Sequence, residues 1–373
     1  MSLRVSKPEF NIREKLNELD RPVGTQGNNI LQSNTTAESF SKIQAGRRNI
    51  IINGDMTISQ RGTSTSSITS DTFGACDRWE TDLASAGTWT QEQVGDAPYN
   101  TGFTHCTSLS CTATSAMTGG SKISLRQKIE ACNIKSLMGG TPNAKPLTVS
   151  FWVKSNEPGK YYVCFFRNRT GLDSSRIGIS YTIEQSEVWE FKTITFPPDT
   201  MDGYGTTLNS TGLEIHFFLA AGQGSYGSAH YGHWSTNNSF LAKGQTNLAA
   251  ATGNYWRVTG VQLEIGNEHT EFDQRPFQEE LALCKRYYEK SIGNINAALN
   301  ANASFSAYCH ANIHFKVEKR VSPTVGYNWS SNNGSAPSQQ STSAVDVNSF
   351  VPLGYASASV AYVIDDWYAD AEL

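Results

Sequence analysis

The stretch Leu147-Thr-Val-Ser-Phe-Trp-Val-Lys154 alternates apolar and polar residues along most of its length. Because successive side chains of an extended strand point to opposite faces, its apolar residues at odd positions share one face. We therefore expect a half-buried β-strand here. Trp152 lies on the opposite face, flanked by Ser150 and Lys154.

Further short runs rich in β-branched and aromatic residues predict more strands, and clusters of Gly, Pro, Asn and Ser separate them. The runs occupy residues 49–53, 161–166, 189–196, 213–219 and 255–265. No long helical pattern lies among them. Many short strands with turn signals between them favour an antiparallel β-sandwich, which we place at residues 49–275.

One helix is predicted after the sandwich, over residues 276–292. Pro276 suits the first helical turn, and Glu279 and Glu280 complement the positive end of the helix dipole. Its apolar face would comprise Phe277, Leu281, Cys284 and Tyr288, and Gly293 would end the helix.

Residues 293–373 predict a smaller β domain. Its strand-like runs occupy residues 304–317, 324–329, 344–351 and 357–364, and a Ser-, Asn- and Gln-rich linker spans residues 330–343. The predicted fold class is therefore mainly β, with a sandwich, one linking helix and a small C-terminal β domain behind an N-terminal helical adaptor.

The adaptor occupies residues 1–48. Asn11 and Glu14 form a predicted capping box, and the apolar residues that follow with helical spacing are Ile12, Leu16 and Leu19. A helix of about two turns is too short to be stable alone in water, so its apolar stripe needs a partner surface. We expect this segment to fold against another protein, and a disordered tail is the alternative.

The 373-residue chain is poor in charge and rich in small polar residues. Only 17% of its residues are charged, against roughly 25% in a typical domain, whereas Ser, Thr, Asn and Gly fill a little over a third of the positions. A net charge of −4 lacks the basic surface of nucleic-acid-binding proteins. No apolar stretch approaches the roughly 20 residues of a membrane span, and residues 1–11 lack the apolar core of a signal peptide.

The seven cysteines include no C-x-x-C pair. This pattern predicts reduced, mostly buried thiols in a chain made in a cytoplasm, with neither a disulfide framework nor zinc.

Two motifs typical of cofactor or metal binding occur, but the secondary structure predicted around them does not suit those functions. Gly222-Gln-Gly-Ser-Tyr-Gly227 matches a dinucleotide-binding pattern, yet no helix follows to present its N-terminus to a phosphate. His310 and His314 lie on a predicted strand, where they would be about 13 Å apart and too distant to share a metal ion.

Glycoside hydrolysis requires paired carboxylates, and the sequence offers two pairs, Asp199 with Asp202 and Asp365 with Asp366. Neither carries a recognisable signature, and adjacent residues on a strand point to opposite faces. We expect no enzymatic activity and no cofactor. A structural calcium ion bound by backbone carbonyls stays open, because a sequence does not show such a site.

Aromatic residues on a β scaffold are the remaining signal. Flat rings can stack on sugar faces while amides and hydroxyls bind the sugar hydroxyls, so we take eight of them as glycan-binding candidates. They are Trp152, Tyr226, Tyr231, Trp234, Tyr327, Trp329, Trp367 and Tyr368. For each of them, packing in a core or in a subunit interface is the competing interpretation.

Several blocks of the sequence resemble tail fibre proteins of tailed phages. Asn49-Ile-Ile-Ile-Asn-Gly-Asp-Met56 and Val261-Gln-Leu-Glu264 resemble the two ends of their sandwich domain, and Cys284-Lys-Arg-Tyr-Tyr288 resembles part of the helix that follows. Residues 315–325 are similar to a later strand pair. Residues 10–20 resemble the virion-attachment end of fibres from marine and cyanobacterial phages.

The resemblance implies a homotrimeric virion protein. Its N-terminal helix would dock on the tail or baseplate, and its distal domains would meet the host surface. The Ser-Phe-Trp-Val-Lys stretch at residues 150–154 is similar to jelly-roll carbohydrate-binding modules. The resemblance further implies that Trp79, Trp189 and Trp256 are core residues, and it carries over no catalytic residue.

We therefore expect a short tail fibre that binds host surface glycan, either lipopolysaccharide or another polysaccharide, without inserting into a membrane. It is expected to be short because the chain shows no repeat, collagen-like or β-helical shaft. Two alternatives stay open: a polysaccharide depolymerase, and a purely structural tail component.

Overall fold

The structure is a computed structural model that describes most of the chain. It covers Gln32 and residues 47–169, 171–203, 208–222, 232–236, 244–291, 307–310, 312–331, 339–356 and 362–373. The predicted docking helix with Ile12, Leu16 and Leu19, and the candidates Tyr226 and Tyr231, lie outside the described residues. The chain divides into two compact units, Met1–Arg48 and Asn49–Leu373, and the second unit carries all the strands described below.

Two six-stranded antiparallel sheets form the predicted sandwich. The sheet that we call the front sheet contains Ser64–Ile68 (β1), Thr88–Val94 (β4), Cys106–Ala113 (β5), Tyr255–Ile265 (β12), Leu147–Ser155 (β7) and Glu190–Phe196 (β10), in that spatial order. The back sheet contains Thr72–Phe73 (β2), Glu80–Ala84 (β3), Lys122–Glu130 (β6), Thr211–Ala221 (β11), Gly159–Arg169 (β8) and Leu172–Ile183 (β9).

The core lies between the two sheets and is rich in aromatic rings. Phe151 of β7 lies 5.0 Å from Phe217 of β11, and Phe217 lies 5.5 Å from Trp256 of β12, measured between ring centroids. These rings are fully buried, and so is Trp79. The alternation read from β7 is confirmed, because its odd-numbered apolar residues are buried and Trp152 faces outward.

The prediction of a strand at residues 49–53 is wrong. The segment is buried but irregular, because side-chain amides take the place of a strand neighbour. The amide oxygen of Asn49 accepts hydrogen bonds from the backbone N–H groups of Ile51 and Leu263, each at 3.0 Å. The amide of Gln127 in β6 bonds both the N–H and the C=O of Ile52, at 2.9 and 2.8 Å.

The linking helix (α1) spans Phe277–Lys285 and is shorter than predicted. Tyr288, which was expected on its apolar face, instead begins the strand Tyr288–Lys290 (β13). Contacts distant in the sequence end the helix: Arg320 donates its backbone N–H to the carbonyl of Arg286 at 3.1 Å, and the Lys319 ammonium donates to the carbonyl of Lys285 at 2.6 Å. Within the described residues, no helix has the length and apolar character to cross a bilayer.

The small C-terminal β domain is present, with strand boundaries that differ from those predicted. One sheet contains β13, Tyr362–Asp370 (β19) and Thr324–Ser331 (β16); the other contains Ala307–His310 (β14), Ile313–His314 (β15), Gln339–Val345 (β17) and Ser349–Ala356 (β18). The predicted strand at 344–351 crosses a turn, where the Asp346 carboxylate accepts the N–H groups of Asn348 and Ser349 at 2.7 and 2.8 Å.

Buried charged groups join the C-terminal domain to the sandwich. The Glu130 carboxylate at the end of β6 accepts hydrogen bonds from Arg286 at 2.8 Å and from the Tyr287 hydroxyl at 2.5 Å. A second pair, Lys319 with Glu289, lies within the C-terminal domain and is almost completely buried, with 2.5 Å between its charged atoms. Burial favours the neutral form and lowers the pKa of Lys319, although the neighbouring Glu289 opposes this shift.

Breaking the Lys319–Glu289 pair should destabilise the protein strongly. We expect Lys319→Met to lower the free energy of unfolding by about 3–5 kcal/mol, because it leaves the Glu289 carboxylate buried without its cation. The double variant Lys319→Met/Glu289→Gln should recover at least half of the loss. Urea denaturation measures both, with Lys145→Met at an exposed site as the control. A single variant as stable as this control would show that the pair has no such role.

Candidate functional site

A cleft of about 450 Å³ lies on the outer face of the front sheet. Its walls are the β4–β5 loop (residues 95–105) and the loop after β12 (residues 266–276). Five ring side chains line it: Phe103, Trp152, Phe191, His269 and Phe272. Hydroxyl, carboxylate and amide groups from Thr101, Ser150, Thr270, Glu271 and Gln274 complete the described lining.

Trp152 and Phe191 form the floor of the cleft. They lie directly opposite one another in the antiparallel pair β7–β10, and their ring centroids are 5.3 Å apart. Phe191 is 41% exposed, a large fraction for a phenylalanine, and Trp152 is half-buried. Because β7 alternates, the same pattern that buries Phe151 in the core turns Trp152 towards the cleft.

The first wall depends on a glycine in β12. Phe103 packs edge-to-face against Phe272, with 5.0 Å between centroids. Its ring lies over Gly260, where the β7–β12 register shifts and φ is +61°. A Cβ atom built on Gly260 would lie 2.6 Å from the Phe103 ring, so only glycine suits both the backbone conformation and the contact.

The second wall is fixed by the Val-Gln-Leu-Glu block. Val261 and Leu263 face the core, whereas Gln262 and Glu264 are buried beneath the loop after β12. Gln262 donates to the Thr270 carbonyl at 3.1 Å and accepts from the Asp273 N–H at 2.6 Å. Glu264 accepts from the Thr270 N–H at 2.9 Å. This block of the tail-fibre resemblance therefore positions a wall of the cleft.

An ion cluster adjoins the floor of the cleft. The Asp96 carboxylate lies 2.6 Å from the Lys154 ammonium, contacts the Arg257 guanidinium and accepts a hydrogen bond from the Trp189 indole at 3.2 Å. Partial burial of Asp96 opposes its ionisation, but the hydrogen bonds from these three side chains outweigh burial and lower its pKa. Arg257 also lies over the Tyr255 ring, 4.4 Å from the centroid.

The structure brings only one of the eight sequence candidates, Trp152, into the cleft. Trp234 is half-buried against the sandwich core and donates its indole N–H to the Pro197 carbonyl at 2.7 Å. Tyr368 is 43% exposed in the C-terminal domain, with its ring centroid 6.1 Å from that of Tyr288.

The remaining C-terminal candidates lie in or beside the core of the small domain. Trp329 and Trp367 are 7% and 5% exposed there, which favours core packing, the competing interpretation, over ligand contact. Tyr327 is half-buried, packs against Phe350 with 5.9 Å between centroids and donates its hydroxyl to the Ser341 carbonyl at 2.6 Å.

Sequence reasoning missed Phe103, Phe191 and Phe272. Phe191 could have been found, since it lies on a predicted strand. Phe103 and Phe272 lie in loops, and their pairing depends on how two distant loops fold over the sheet. Of the three tryptophans implied to be core residues, Trp79 and Trp256 are, whereas Trp189 is half-buried beside the ion cluster.

Three of the four aspartates in the two candidate pairs take part in described hydrogen bonds. Asp199 is buried, and its carboxylate accepts hydrogen bonds from Arg167 at 2.5 Å and from the Ser175 hydroxyl. Asp202 contributes its backbone carbonyl to Arg169, and Asp366 bonds Asn328 at 2.7 Å. No group of three or more His, Cys, Asp and Glu side chains among the described residues is arranged to hold a metal ion.

A serine–histidine–carboxylate series lies on the outer face of the back sheet. The His216 ring nitrogens lie 3.1 Å from the Ser124 hydroxyl and 3.2 Å from Glu214. Ser124 also donates to Asp82 at 3.1 Å, and Ser124, Asp82 and His216 are at most 1% exposed. These hydrogen bonds satisfy polar groups that are buried on this face of the sheet.

No protein-family model matches this sequence, and no curated protein matches it. Three solved structures illustrate what the chain is similar to. The enzymatically active domain of tailspike protein 4 from bacteriophage CBA120 is 14% identical, with a TM-score of 0.32; the match covers 58% of this chain and only 21% of that one. A family 11 carbohydrate-binding module of a Clostridium thermocellum cellulase is 15% identical over 55% of this chain and 97% of its own, with a TM-score of 0.30.

The third is a xylan-binding domain of Paenibacillus barcinonensis Xyn10C. It is 8% identical over 60% of this chain and 100% of its own, with a TM-score of 0.29. At these identities and TM-scores, a function for this chain has to come from its own residues.

Replacing Gly260 should disturb the cleft wall as well as the backbone. Gly260→Ala and Gly253→Ala both force alanine into a left-handed conformation, but Gly253 has no atom within 4 Å of the added Cβ. We expect Gly253→Ala to cost about 1–2 kcal/mol of unfolding free energy and Gly260→Ala a further 1–3 kcal/mol from the clash with Phe103. In the Phe103→Ala background the clash is absent, so the extra cost of Gly260→Ala should disappear when unfolding free energies are measured by urea denaturation. An extra cost that persists would contradict the contact between Gly260 and Phe103.

The stabilising effect of Asp82 should fade in acid. Burial of Asp82 opposes its ionisation, but the hydrogen bond and charge of His216 and the charges of Arg126 and Lys122 outweigh burial and hold its pKa well below its usual range. A lowered carboxyl pKa stabilises the folded state at pH values above the unfolded-state pKa, and the effect is lost as pH falls below it. Asp82→Asn should therefore be clearly less stable than the parent at pH 7. This difference should shrink progressively below about pH 4, as followed by urea denaturation at several pH values, and a difference constant from pH 7 to 3 would refute the assignment.

Proposed function

We propose that this protein is a short phage tail fibre that binds host surface glycan through the cleft on its front sheet. The observation that carries the proposal is the ring pair of Trp152 and Phe191 on the floor of the cleft, 5.3 Å apart and partly open to solvent. Small-molecule sites are commonly concave and lined by aromatic side chains with a few polar groups, as this ring pair and its surroundings are.

The chemistry of the lining fits a sugar chain. A sugar ring presents C–H groups on its faces and hydroxyls around its edge, so it needs aromatic floors and polar rims together. The floor supplies Trp152 and Phe191, and the walls supply polar groups from Thr101, Thr270 and Gln274. The volume of about 450 Å³ lies within the usual range of small-molecule sites.

We propose a binding protein rather than a depolymerase. Glycoside hydrolases usually act with two carboxyl groups about 5–10 Å apart across the scissile bond. Glu271 is the single carboxylate among the lining residues that the structure describes. Glu264 and Asp96 lie outside this lining, where their hydrogen bonds hold a loop and an ion cluster.

The phage assignment is based on the sequence blocks that resemble tail fibres. We propose that the chain assembles as a homotrimer in the virion tail, that residues 1–48 dock on the tail or baseplate, and that no cofactor is needed. A purely structural tail component is the second candidate, and its distinguishing property is that it would not adsorb to host cells.

Trp152→Ala should abolish glycan binding without unfolding the protein. Loss of a central aromatic contact typically weakens binding by about thirtyfold or more, whereas the fold should tolerate the change because Trp152 lies outside the core. Pull-down with host cells and with their purified envelope polysaccharide measures binding, and thermal unfolding checks the fold.

Tyr368→Ala is the matched control, because it removes an exposed aromatic residue of the C-terminal domain. If Tyr368→Ala abolishes binding while Trp152→Ala does not, the cleft is the wrong site. Steady release of new reducing ends by the parent protein would favour the depolymerase, and failure of the parent to adsorb would favour the structural component.

Removal of residues 1–48 should separate assembly from adsorption. We expect the truncated protein to stay soluble and trimeric by light scattering and to bind host cells, but not to be incorporated into virions. A monomeric full-length chain at micromolar concentration would contradict the trimer, and incorporation of the truncated chain would contradict the docking role.

A further inference from the structure

Two cations beside the cleft floor share one carboxylate. Lys154 lies two residues beyond Trp152 on the same face of β7, about 7 Å along the strand, and Arg257 lies opposite Lys154 in β12. These cations form the row next to the cleft floor. Both contact the Asp96 carboxylate, and their side chains are only 12% and 24% exposed.

The described lining of the cleft contains no lysine or arginine. Among the lining residues that the structure describes, the groups able to bind a ligand are rings, hydroxyls, amides, one imidazole and the Glu271 carboxylate. An acidic sugar placed on Trp152 would therefore meet no lysine or arginine in the described lining. The carboxylates of Asp96 and Glu271 together offset the formal charges of the two cations in the row beside it.

We propose that Asp96 makes this site selective for uncharged glycans over acidic ones. This inference rests on the proposed function and specifies its ligand class. Asp96 acts as a specificity-determining residue: it occupies the two cations that would otherwise attract uronic acids or phosphorylated sugars. Specificity then has two sources: contacts with the neutral ligand, and the pairing of Lys154 and Arg257 with Asp96, which keeps these cations from attracting acidic sugars.

The Trp189 indole helps to place the carboxylate that performs this role. It donates to the Asp96 oxygen atom that does not contact the two cations, at 3.2 Å. An asparagine at position 96 could still accept this hydrogen bond through its amide oxygen. Asp96→Asn therefore removes the negative charge while leaving a partner for the tryptophan.

The test compares matched neutral and acidic polymers on the full-length protein. Affinity electrophoresis would use hydroxyethylcellulose against carboxymethylcellulose and galactan against polygalacturonate, in 20 mM NaCl at pH 8. We expect the parent protein to be retained by at least one neutral polymer about tenfold more strongly than by its acidic counterpart. Asp96→Asn should increase retention by the acidic polymers about tenfold, and 0.5 M NaCl should abolish this gain because exposed charges are then screened.

Two further variants make the outcome specific. Asp173→Asn changes the net charge equally at an exposed site of β9 and should leave retention unchanged. Adding Lys154→Gln and Arg257→Gln to Asp96→Asn should remove the gain, since the released cations cause it. Thermal unfolding verifies that each variant is folded.

The outcomes separate this inference from the proposed function. Equal or stronger retention of the parent by acidic polymers, or an Asp96→Asn variant indistinguishable from Asp173→Asn, would overturn the inference and leave glycan binding intact. If neither class of polymer retains the parent or the Asp96→Asn variant, the result counts against the proposed function itself.

Discussion

The buried segment from Asn49 to Gly54 is the constraint on which the arrangement of the molecule depends. It contacts both sheets and the linking helix, so it must satisfy its backbone groups without a regular strand partner. Gln127 from the back sheet bonds Ile52, and the Val261 N–H from the front sheet donates to Gly54 at 2.9 Å. Arg275, just before the helix, donates to the Ile51 carbonyl at 3.0 Å.

The geometry of the cleft follows from this segment. β12 pairs with β5 from Tyr255 to Val258, and further along the strand Val261 and Leu263 contact the buried segment. The β12 register shifts between Thr259 and Gln262 at this place, and the shift puts Gly260 in the left-handed conformation beneath Phe103. The irregular segment from Asn49 to Gly54 therefore determines both how the two sheets and the helix meet and how one wall of the cleft is shaped.

The two sheets differ in what their outer faces can do. On the back sheet, Tyr162, His216 and Phe218 are outward-facing but fully buried, and the segment at residues 232–236 bonds the β9 edge through Ser235 and Arg176. The front sheet leaves Phe191 and part of Trp152 open. Of the two outer faces, the front one is thus available for a ligand in the part of the chain that the structure describes.

The sequence pattern predicted the features that depend on neighbouring residues, such as which face of a strand is buried. The period of two in β7 correctly separated Phe151 in the core from Trp152 on the outside, and β12 begins and ends where its pattern does. Residues 49–53 were misread because distant amides replace a strand neighbour. The predicted helix was too long because Lys319 and Arg320, more than thirty residues later in the chain, donate hydrogen bonds to the carbonyl groups at its end.

The distribution of charge gives the low charged fraction a physical meaning. Several of the charged residues are buried: Glu130 at the end of β6, Lys319 with Glu289 in the C-terminal domain, and Arg167 with Asp199 beneath a loop. Such buried groups hold domains together but contribute little to the field outside. The surface is rich in hydroxyls and amides and the net charge is only −4, so long-range attraction contributes little to the capture of a ligand. Recognition by such a surface has to come from short-range stacking and hydrogen bonds, which are the interactions that an uncharged sugar chain offers.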